Sequence, residues 1–358
     1  MDHTTHTRFS TRILSSRVHT ERMSAQAPST RSSRIRSLVL ALLILALAFL
    51  LIVGGAFAYL RHSIDSQIRH ISIETTPDQL PQSALAHSPT AVHDTLNFLI
   101  LGSDSRSSGG NPSDWHAGAQ RSDVMMVLQL SANRSRLSVM SLPRDLWVPI
   151  PGHGEGKINS AYSLGGPELT ISTVEGLLGS PIHHFAVVDF ESFAQMTDQI
   201  GGVTVNTTSG PQHLNGTQAL AFVRERYSLP NGDLDRVRRQ QAWIQALLNG
   251  IFEQKTLQDP VALHAMLHTL LSHSAVDEGL TFDSLTALAL ESRTLQRGGI
   301  VFFTAPVNPP STSSDGQSIL TLKSEAMDQL RQAWAQDRVK EFVASSKDVR
   351  TLGSDPIY

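Results

Sequence analysis

VMMVLQLSANRSRLSVMSL, residues 124–142, contains two short apolar runs separated by polar turn residues. A third run, LNFLIL at residues 96–101, precedes them, and shorter runs follow at 184–188 and 300–304. Short apolar runs bounded by turn residues are typical of strands buried in a sheet. We therefore predict that these segments form strands of one sheet.

Segments with helical periodicity lie between and after these strands. Alternating strands and helices favour a sheet that is covered by helices on both faces. The predicted fold class is therefore α/β, an α-β-α sandwich with a mixed central sheet. The helical segments are 167–178, 190–199, 215–225, 236–253, 260–272, 281–291 and 324–345.

Composition supports one main globular domain and argues against several functions. The chain has 358 residues, 40% of them apolar, which is enough for one large core. Seven arginines and two acidic residues give the first 37 residues an excess of five positive charges, so the formal net charge of −3 leaves about −8 on the remainder. An acidic folded part argues against a nucleic-acid partner. The absence of cysteine excludes disulfides, thiolate metal sites and a cysteine nucleophile, and it fits a Gram-positive exterior.

Residues 38–60 form an uninterrupted apolar segment without a charged side chain. As a helix it would be roughly 34 Å long, enough to cross a bilayer. Arginines are concentrated before this segment, so the positive-inside rule predicts a cytoplasmic basic tail at 1–37 and an extracytoplasmic chain after residue 60. A cleaved signal peptide is the alternative, but its apolar region would be shorter and would end at small residues. We predict a single-pass cell-membrane protein with its catalytic domain outside.

The segment after the predicted membrane helix differs in composition from the rest. Residues 61–94 include a polar stretch with Pro77, Pro81 and Pro89, which is typical of a linker. The main domain is predicted at 95–350.

Charged residues lie directly beyond predicted strand ends, where α/β folds bind ligands. We expect Gly102 to let the backbone turn sharply after the first strand, so that Asp104 and Arg106 project beyond it. Arg121 and Asp123 come immediately before the second strand. Two nearby carboxylates repel unless a cation or an arginine lies between them. Mg²⁺ is the natural candidate, because it binds one or two carboxylates together with phosphate oxygens and water.

A second group of cations follows the third predicted strand. Arg144 lies at its end, and a glycine-rich loop at 152–156 precedes Lys157. The alternative for Lys157 is an ordinary solvated loop. Familiar catalytic templates are absent from the sequence, which contains no GxSxG, HExxH or GxxxxGK[ST] motif.

The densest group of arginines lies at residues 224–239. Arg224 and Arg226 follow an apolar helical stretch, while Arg236, Arg239 and Gln240 open the next helix. Residues three and four apart share a helix face, so the last three could contact one ligand together.

The alternative for this group is a surface network of ion pairs that also includes Glu225, Asp233 and Asp235. Such pairs contribute only about 0–1 kcal/mol each. Five arginines within about sixteen positions of an acidic domain are better explained by a pyrophosphate ligand, whose oxygens guanidinium groups match bidentately.

Six motifs, in this order over roughly residues 95–250, resemble the LytR-CpsA-Psr family. They are FLILGSDSR, RSDVMMVLQL, SLPRDLWVPI, KINSAYSLGG, VDFESFAQMTDQIGGVTV and LNGTQALAFVRERYSLPNGDLDRVRRQQ. The predicted anchor and exterior domain also match that family's layout.

The resemblance implies a Mg²⁺-dependent phosphotransferase. Such an enzyme moves a glycopolymer from a polyprenyl-pyrophosphate carrier to the muramic acid 6-hydroxyl of peptidoglycan or to another envelope acceptor. It further implies an apolar tunnel for the polyprenyl chain, which the run 174–178 could line, although core packing explains that run equally well. By motif, the metal ligands would be Asp104 and Asp123, the catalytic residues Asp104, Asp123, Arg144 and Arg226, and the pyrophosphate-binding residues Arg106, Arg121, Arg224, Arg236, Arg239, Gln240 and Lys157.

One departure from the family pattern is Asp235, where glycine is common. We expect it either to weaken phosphate attraction or to face solvent.

The expected partners are a polyprenyl-pyrophosphate-linked glycan, a peptidoglycan acceptor and the membrane. The transferred polymer remains open among teichoic acid, capsule, arabinogalactan and a glycan for a surface protein. The oligomeric state also remains open. A non-catalytic sensor of polyprenyl phosphate or an envelope regulator is the alternative function, and a wall-anchoring scaffold is a third. The carboxylates at 104 and 123 favour the enzyme, because a pure anion binder gains nothing from them unless a metal bridges them.

Overall fold

The structure is a computed structural model that divides the chain into two units, Met1–Phe57 and Ala58–Tyr358. The predicted cytoplasmic tail and almost all of the predicted membrane helix lie outside the described residues. Among the residues that the structure does describe, no helix combines the length and apolarity of a membrane span. Those residues are Tyr59, His62, 69–71, 94–103, 122–225, 229–253, 259–272, 274–353 and 357–358.

Fourteen strands are present in the described part of the second unit. In chain order they are β1 (Arg69–Ile71), β2 (Leu96–Ser103), β3 (Ser122–Leu130), β4 (Leu137–Ser141), β5 (Trp147–Ile150), β6 (Gly154–Lys157), β7 (His184–Asp189), β8 (Val203–Thr207), β9 (Gly210–Leu214), β10 (Ser274–Asp277), β11 (Ile300–Thr304), β12 (Ser311–Thr312), β13 (Ser318–Ile319) and β14 (Arg350–Thr351).

Eight of these strands form the main sheet, in the order β1-β10-β7-β2-β3-β4-β11-β14. The pairs β1/β10, β7/β2 and β4/β11 are parallel, and the other neighbours are antiparallel. The predicted mixed sheet is therefore confirmed, with all five predicted strands in it. Strand β1 falls in the segment assigned from the sequence to the linker 61–94.

Most α-helices of the described residues agree closely with the predicted segments, but the one predicted at 167–178 begins at Ser160 and is kinked at Gly165 and Gly166. The prediction of one helix over 324–345 is wrong, because Asp337 adopts a positive φ of 53° and separates two helices. The helices are α1 (Ser160–Leu178), α2 (Phe190–Gln199), α3 (Gly216–Arg224), α4 (Asp233–Glu253), α5 (Pro260–Ser272), α6 (Phe282–Glu291), α7 (Ser324–Ala335) and α8 (Val339–Ser345).

One face of the sheet packs against α1, α7 and α8. Val127 of β3 and Met140 of β4 are fully buried in a core cluster with Ile171, Leu330 and Val343 of these helices. The run 174–178 contributes to the same cluster, so its described packing is that of core residues.

The opposite face of the sheet packs against α2, α3 and α4. Met126 and Val139, the strand neighbours of the residues on the first face, join a second cluster with Ala194, Leu220 and Trp243. Successive strand residues point to opposite faces, so the two clusters lie on either side of one sheet. The result is a three-layer arrangement.

Gly102 has a different role from the predicted one. It lies within β2 rather than at a turn, and its φ is not positive. A Cβ at this position would lie 2.8 Å from the Cβ of Val124 on β3. Glycine is therefore required because the neighbouring strand approaches closely.

Candidate functional site

The candidate site lies at the edge of the sheet where β2, β4 and β7 end and β3 begins. Ser103, which precedes Asp104, pairs with Ser122 of β3 and with Asp189 of β7. Because Gly102 pairs with Val124, the ladder skips Asp123, which occupies a β-bulge. Bulges are common next to active sites, where they redirect a side chain. The backbone thus brings the positions before Asp104 and around Asp123 to one edge.

Several predicted site residues lie outside the described part of the chain. They are Asp104, Arg106, Arg121 and Arg226, together with the side chain of Asp123.

Arg144 and Arg236 converge on one carboxylate. Arg144 follows β4, and its Nε lies 3.4 Å from Oδ1 of Asp233, the first residue of α4. One turn later on the same helix, Arg236 pairs with that same oxygen. The Arg236 side chain is only 3% exposed and that of Asp233 is 17% exposed. Burying an arginine is costly unless a countercharge accompanies it, so Asp233 holds both guanidinium groups in place.

Lys157 joins this arrangement through Asp145. Its Nζ lies 2.8 Å from Oδ1 of Asp145, whose Oδ2 lies 3.7 Å from Nε of Arg144. The solvated-loop alternative for Lys157 is wrong, because the residue ends β6 and is half-buried. We call the set Lys157, Asp145, Arg144, Asp233 and Arg236 the ion-pair chain. With three cations and two carboxylates, it carries an excess of one positive charge.

Arg224 and Gln240 occupy the same region of the fold. Arg224 is the last residue of α3, and Gln240 is buried one turn beyond Arg236 on α4. Arg236 and Gln240 share a helix face, as predicted from their spacing.

Arg239 has different contacts. Its guanidinium lies 4.3 Å from the centroid of the Phe222 ring, Nη1 donates to the Phe222 carbonyl at 2.8 Å, and Nε donates to the Tyr358 carbonyl at 2.5 Å. Burial lowers the pKa of Arg239, while the charges of Glu225 and Asp235 act in the opposite direction. These contacts connect α4 to α3 and to the last described residues.

Of the two alternatives for Asp235, the one in which it faces solvent is wrong. Asp235 is only 1% exposed. Its carboxylate accepts hydrogen bonds from the backbone N–H of Asn231 at 2.9 Å and from Asn231 Nδ2 at 3.1 Å. Asp235 therefore stabilises the turn that leads into α4. This turn includes Gly232, whose positive φ of 54° favours glycine.

Sequence reasoning gave no site role to several residues at this edge. Asp189 ends β7 and is buried, with Oδ1 accepting from the N–H of Glu191 at the start of α2. Gln241 is fully buried, and its Nε2 donates to Ser141 Oγ at 2.8 Å and to the Phe303 carbonyl at 2.9 Å. The sequence could have indicated a site role for Asp189, because it is a polar residue at the end of an apolar run. No sequence pattern distinguished Gln241 from its neighbour Gln240.

Two clefts adjoin the hairpin formed by β5 and β6. The first has a volume of about 540 Å³ and a polar lining that includes Arg144 and Asp145. We call it the polar cleft. The second, of about 580 Å³, lies between the hairpin and α1, and its lining includes Val148, Ile150 and Leu177. Trp147 lines both.

The α/β sandwich thus carries a group of cations near the ends of its strands, and comparison with known proteins gives its class. The LytR_cpsA_psr family model matches residues 62–336. The chain therefore belongs to the LytR-CpsA-Psr family.

Curated relatives and solved structures agree with this assignment. The chain is 29% identical to the cell wall biosynthesis protein LcpA of Corynebacterium glutamicum, over 65% of this chain and 54% of the relative. It is 36% identical to the polyisoprenyl-teichoic acid–peptidoglycan teichoic acid transferase TagU of Oceanobacillus iheyensis, over 56% of this chain and 65% of the relative. The chain thus spans between about half and two thirds of these relatives. The structure of TagT, a Bacillus subtilis protein, bound to LI-WTA aligns with a TM-score of 0.57 at 22% identity, over 75% of this chain and 99% of that one, and so shares the fold.

Proposed function

We propose that this chain is a transferase that moves a cell-wall glycopolymer from a polyprenyl-pyrophosphate carrier to peptidoglycan, at the muramic acid 6-hydroxyl. The observation that carries the proposal is the ion-pair chain, in which three cations from distant parts of the sequence meet at the strand ends. The name of TagU, a teichoic acid transferase acting on peptidoglycan, supports the same reaction class. LcpA is named for cell wall biosynthesis.

Substrate binding uses the cationic side chains of the ion-pair chain. Arg144 and Arg236 already share the Asp233 carboxylate, so a pyrophosphate adds acceptor oxygens to guanidinium groups that are held in place before binding. Little conformational entropy is then lost when the ligand arrives. Lys157 adds a third cation on the side of Asp145. The proposal also assigns pyrophosphate contacts to Arg106, Arg121, Arg224 and Gln240, whereas the contacts of Arg239 with Phe222 and Tyr358 give it a role in the fold.

In the chemical step, the acceptor hydroxyl oxygen attacks the phosphorus next to the glycan. A P–O bond forms to the acceptor and the P–O bond of the anhydride breaks, with its electron pair leaving on polyprenyl phosphate. The hydroxyl proton passes to a carboxylate, that of Asp104 or Asp123, and then to water. Arg144 and Arg226 stabilise the charge on the transferring phosphoryl oxygens, since phosphoryl transfer depends mainly on positioning and charge neutralisation.

The sheet edge suits a divalent cation. Asp123 lies in the bulge of β3, and Ser103, the residue before Asp104, pairs with Ser122 in the same ladder. Mg²⁺ prefers one or two carboxylates with phosphate oxygens, so Asp104 and Asp123 would hold it. When bound, Mg²⁺ would neutralise charge on the phosphate oxygens.

Membrane anchoring is part of the proposal. A helix over 38–60, with residues 1–37 cytoplasmic and the domain outside, would keep the site close to a carrier whose polyprenyl chain lies in the bilayer.

The decisive test is the release of polyprenyl phosphate from a polyprenyl-pyrophosphate glycan by the purified full-length chain with Mg²⁺. Arg236→Ala should lower turnover by about 100-fold, because it removes a preorganised cation at the transferring phosphate. Arg297→Ala is the matched control, since Arg297 is an exposed arginine that pairs with Glu253. If Arg236→Ala turned over as fast as the control, the ion-pair chain would not be the phosphate site.

Two further variants separate catalysis from binding. Asp123→Ala should abolish release while the chain remains folded, and unchanged turnover would remove Asp123 from the mechanism. The double variant Arg224→Ala/Arg226→Ala should weaken binding of the pyrophosphate lipid. If the wild-type chain binds that lipid but releases no polyprenyl phosphate, the protein is a sensor or envelope regulator instead.

A further inference from the structure

The polar cleft extends away from the ion-pair chain. It begins at Arg144 and runs between the β5–β6 hairpin, the start of α1 and the turn that joins β12 to β13. Its volume of about 540 Å³ lies within the usual range for small-molecule sites. Beyond Arg144, its lining includes Trp147, Lys157, Asn159, Asp315 and Gln317.

The walls of the polar cleft are held by hydrogen bonds. Trp147 Nε1 donates to Glu155 Oε2 at 3.1 Å, and the backbone N–H of Trp147 donates to the Leu320 carbonyl at 2.8 Å. In the turn that joins β12 to β13, Gln317 Nε2 donates to Asp315 Oδ2 at 2.6 Å. Such fixed walls reduce the entropy that is lost on binding.

The charge on one wall is also fixed. Hydrogen bonds from the Ser313 hydroxyl and from Gln317 hold the pKa of Asp315 below its usual value. Asp315 is therefore an anionic acceptor at neutral pH.

The lining excludes two kinds of ligand. Asp145, Glu155 and Asp315 outnumber Arg144 and Lys157, so a second phosphate beyond Arg144 would meet an excess of negative charge. A lipid chain would remove water from these charged groups without replacing their hydrogen bonds, which is costly.

The lining matches a neutral saccharide. Carboxylate and amide oxygens accept hydrogen bonds, the lysine and the amide nitrogens donate them, and sugar hydroxyls can do both. Trp147 adds an amphipathic ring against which the apolar C–H face of a sugar can pack. The ion pair between Lys157 and Asp145 balances the charges of these two side chains.

We infer that the polar cleft is a saccharide subsite, which binds the sugar unit adjacent to the phosphate at Arg144. This inference rests on the proposed function for the identity of that phosphate. The sugar belongs either to the carried glycan or to the peptidoglycan acceptor, because both present hydroxyl-rich rings next to the reacting phosphorus.

Direct binding tests the subsite without any turnover. Chitobiose and cellobiose are titrated into the purified full-length chain, and binding is followed by saturation-transfer NMR. Wild type should bind at least one of them saturably, Trp147→Ala should bind about 10-fold more weakly, and Gln317→Ala about 3-fold more weakly, as expected for one lost hydrogen bond. Trp147→Phe, which keeps an aromatic ring, should recover part of the affinity.

Gln212→Ala is the control, since Gln212 is an exposed glutamine on β9. Its affinity should equal that of wild type, and circular dichroism establishes that each variant is folded. Absence of saturable binding to both sugars, or equal binding by wild type, Trp147→Ala and Gln317→Ala, overturns the inference.

Transfer kinetics then separate the two sources of the sugar. If the acceptor occupies the cleft, Gln317→Ala raises KM for soluble peptidoglycan strands and leaves KM for the lipid carrier unchanged, whereas a donor sugar gives the reverse. If Gln317→Ala changes neither the KM for peptidoglycan strands nor the KM for the lipid carrier, the assignment of the saccharide subsite is wrong. Wild type that binds saccharide but transfers nothing would refute the proposed function and retain the subsite.

Discussion

Two groups of buried polar residues, one at each end of β2, are stabilised in different ways. The end that holds the first group, which we call the neutral end, also carries the ion pair of His184 with the buried Asp277. At the amino end of β2, Asn97 Oδ1 accepts from Trp334 Nε1 at 3.0 Å, and Asn97 Nδ2 donates to the Pro181 carbonyl at 2.8 Å. Gln129 completes this network by donating to the Trp334 carbonyl at 2.9 Å. At the carboxyl end of the same strand, which we call the charged end, the ions of the ion-pair chain are joined through Asp145 and Asp233.

This difference indicates which end serves the fold and which serves a ligand. A satisfied neutral network needs nothing further, and it makes the packing unique. Ions are costly to bury, and replacing a buried ion pair by apolar residues is often neutral or stabilising. A row of partly buried ions therefore favours a functional explanation. Mutations in the neutral group of Asn97 and Gln129 should consequently affect stability alone, and mutations in the ion-pair chain should affect ligand binding as well.

The largest effect is expected for Asp233→Asn at the charged end. Removing this carboxylate leaves Arg144 and Arg236 close together without their shared countercharge. The free energy of unfolding should fall by about 3 kcal/mol, as measured by urea denaturation. Inorganic pyrophosphate should restore part of the loss in a concentration-dependent way, because an anion that binds only the folded state stabilises it.

Asp328→Asn is the control for this variant. Asp328 forms an exposed ion pair with Arg331, so its loss should change stability by less than about 0.5 kcal/mol. Equal effects of the two variants would contradict the role given to Asp233.

A somewhat smaller effect is expected at the neutral end. Asn97→Ala leaves the Nε1 of Trp334 and the carbonyl of Pro181 without these partners. Stability should fall by about 2–3 kcal/mol, since each unsatisfied buried group costs about 1–3 kcal/mol. Turnover well below the unfolding midpoint should remain that of wild type. A 10-fold loss of turnover in a folded Asn97→Ala protein would show that the two ends are coupled.

The sequence predicted much of this sheet but not the difference between its ends. All five predicted strands lie in the main sheet, because short apolar runs have few alternatives to burial. The sequence predicted Arg144 and Lys157 after the third strand and Arg236 at the start of a helix, all as phosphate-binding cations. Their mutual contacts depend on tertiary packing across about ninety residues, which periodicity does not encode.

The errors have physical causes of the same kind. Asp233 and Asp235 look alike as exposed acids at a helix start, yet one joins two arginines and the other caps a turn. Strand β10, which pairs with β7, was missed because its four residues, SAVD, are too short to show alternation. The close approach of Val124 to Gly102 likewise follows from strand pairing, so the sequence alone suggested only a turn.

A third prediction concerns Glu175, an acid at the neutral end. It lies in α1, is only 5% exposed, and accepts from the N–H of Ile182 at 2.9 Å; among the described residues no cation pairs with it. Burial raises the pKa of Glu175 to about 7, although the Ile182 hydrogen bond lowers it. The ionised form is therefore disfavoured in the folded state. Stability should decrease as pH rises from about 4.5 to about 7 and then level off.

Urea denaturation at pH 5 and pH 8 measures this effect. The contribution of Glu175 should be about 1–2 kcal/mol after allowance for solvent screening. Glu175→Gln keeps an acceptor oxygen for Ile182 but cannot ionise, so it should remove that part of the difference. An unchanged pH dependence in Glu175→Gln would mean that this carboxyl titrates normally.

The smallest effect is expected for Arg239→Ala. This variant distinguishes two neighbouring arginines of the charged end, Arg239 and Arg236. Arg239 and Arg236 are one turn apart, but Arg239 contacts the Phe222 ring and two backbone carbonyls, whereas Arg236 contacts Asp233. Losing the cation–π contact and hydrogen bonds should lower stability by about 1 kcal/mol. Affinity for inorganic pyrophosphate, measured by calorimetry, should fall less than about 3-fold, against at least about 10-fold for Arg236→Ala. Equal losses of affinity would mean that both arginines bind the same phosphates, and that Arg239 leaves Phe222 when the ligand arrives.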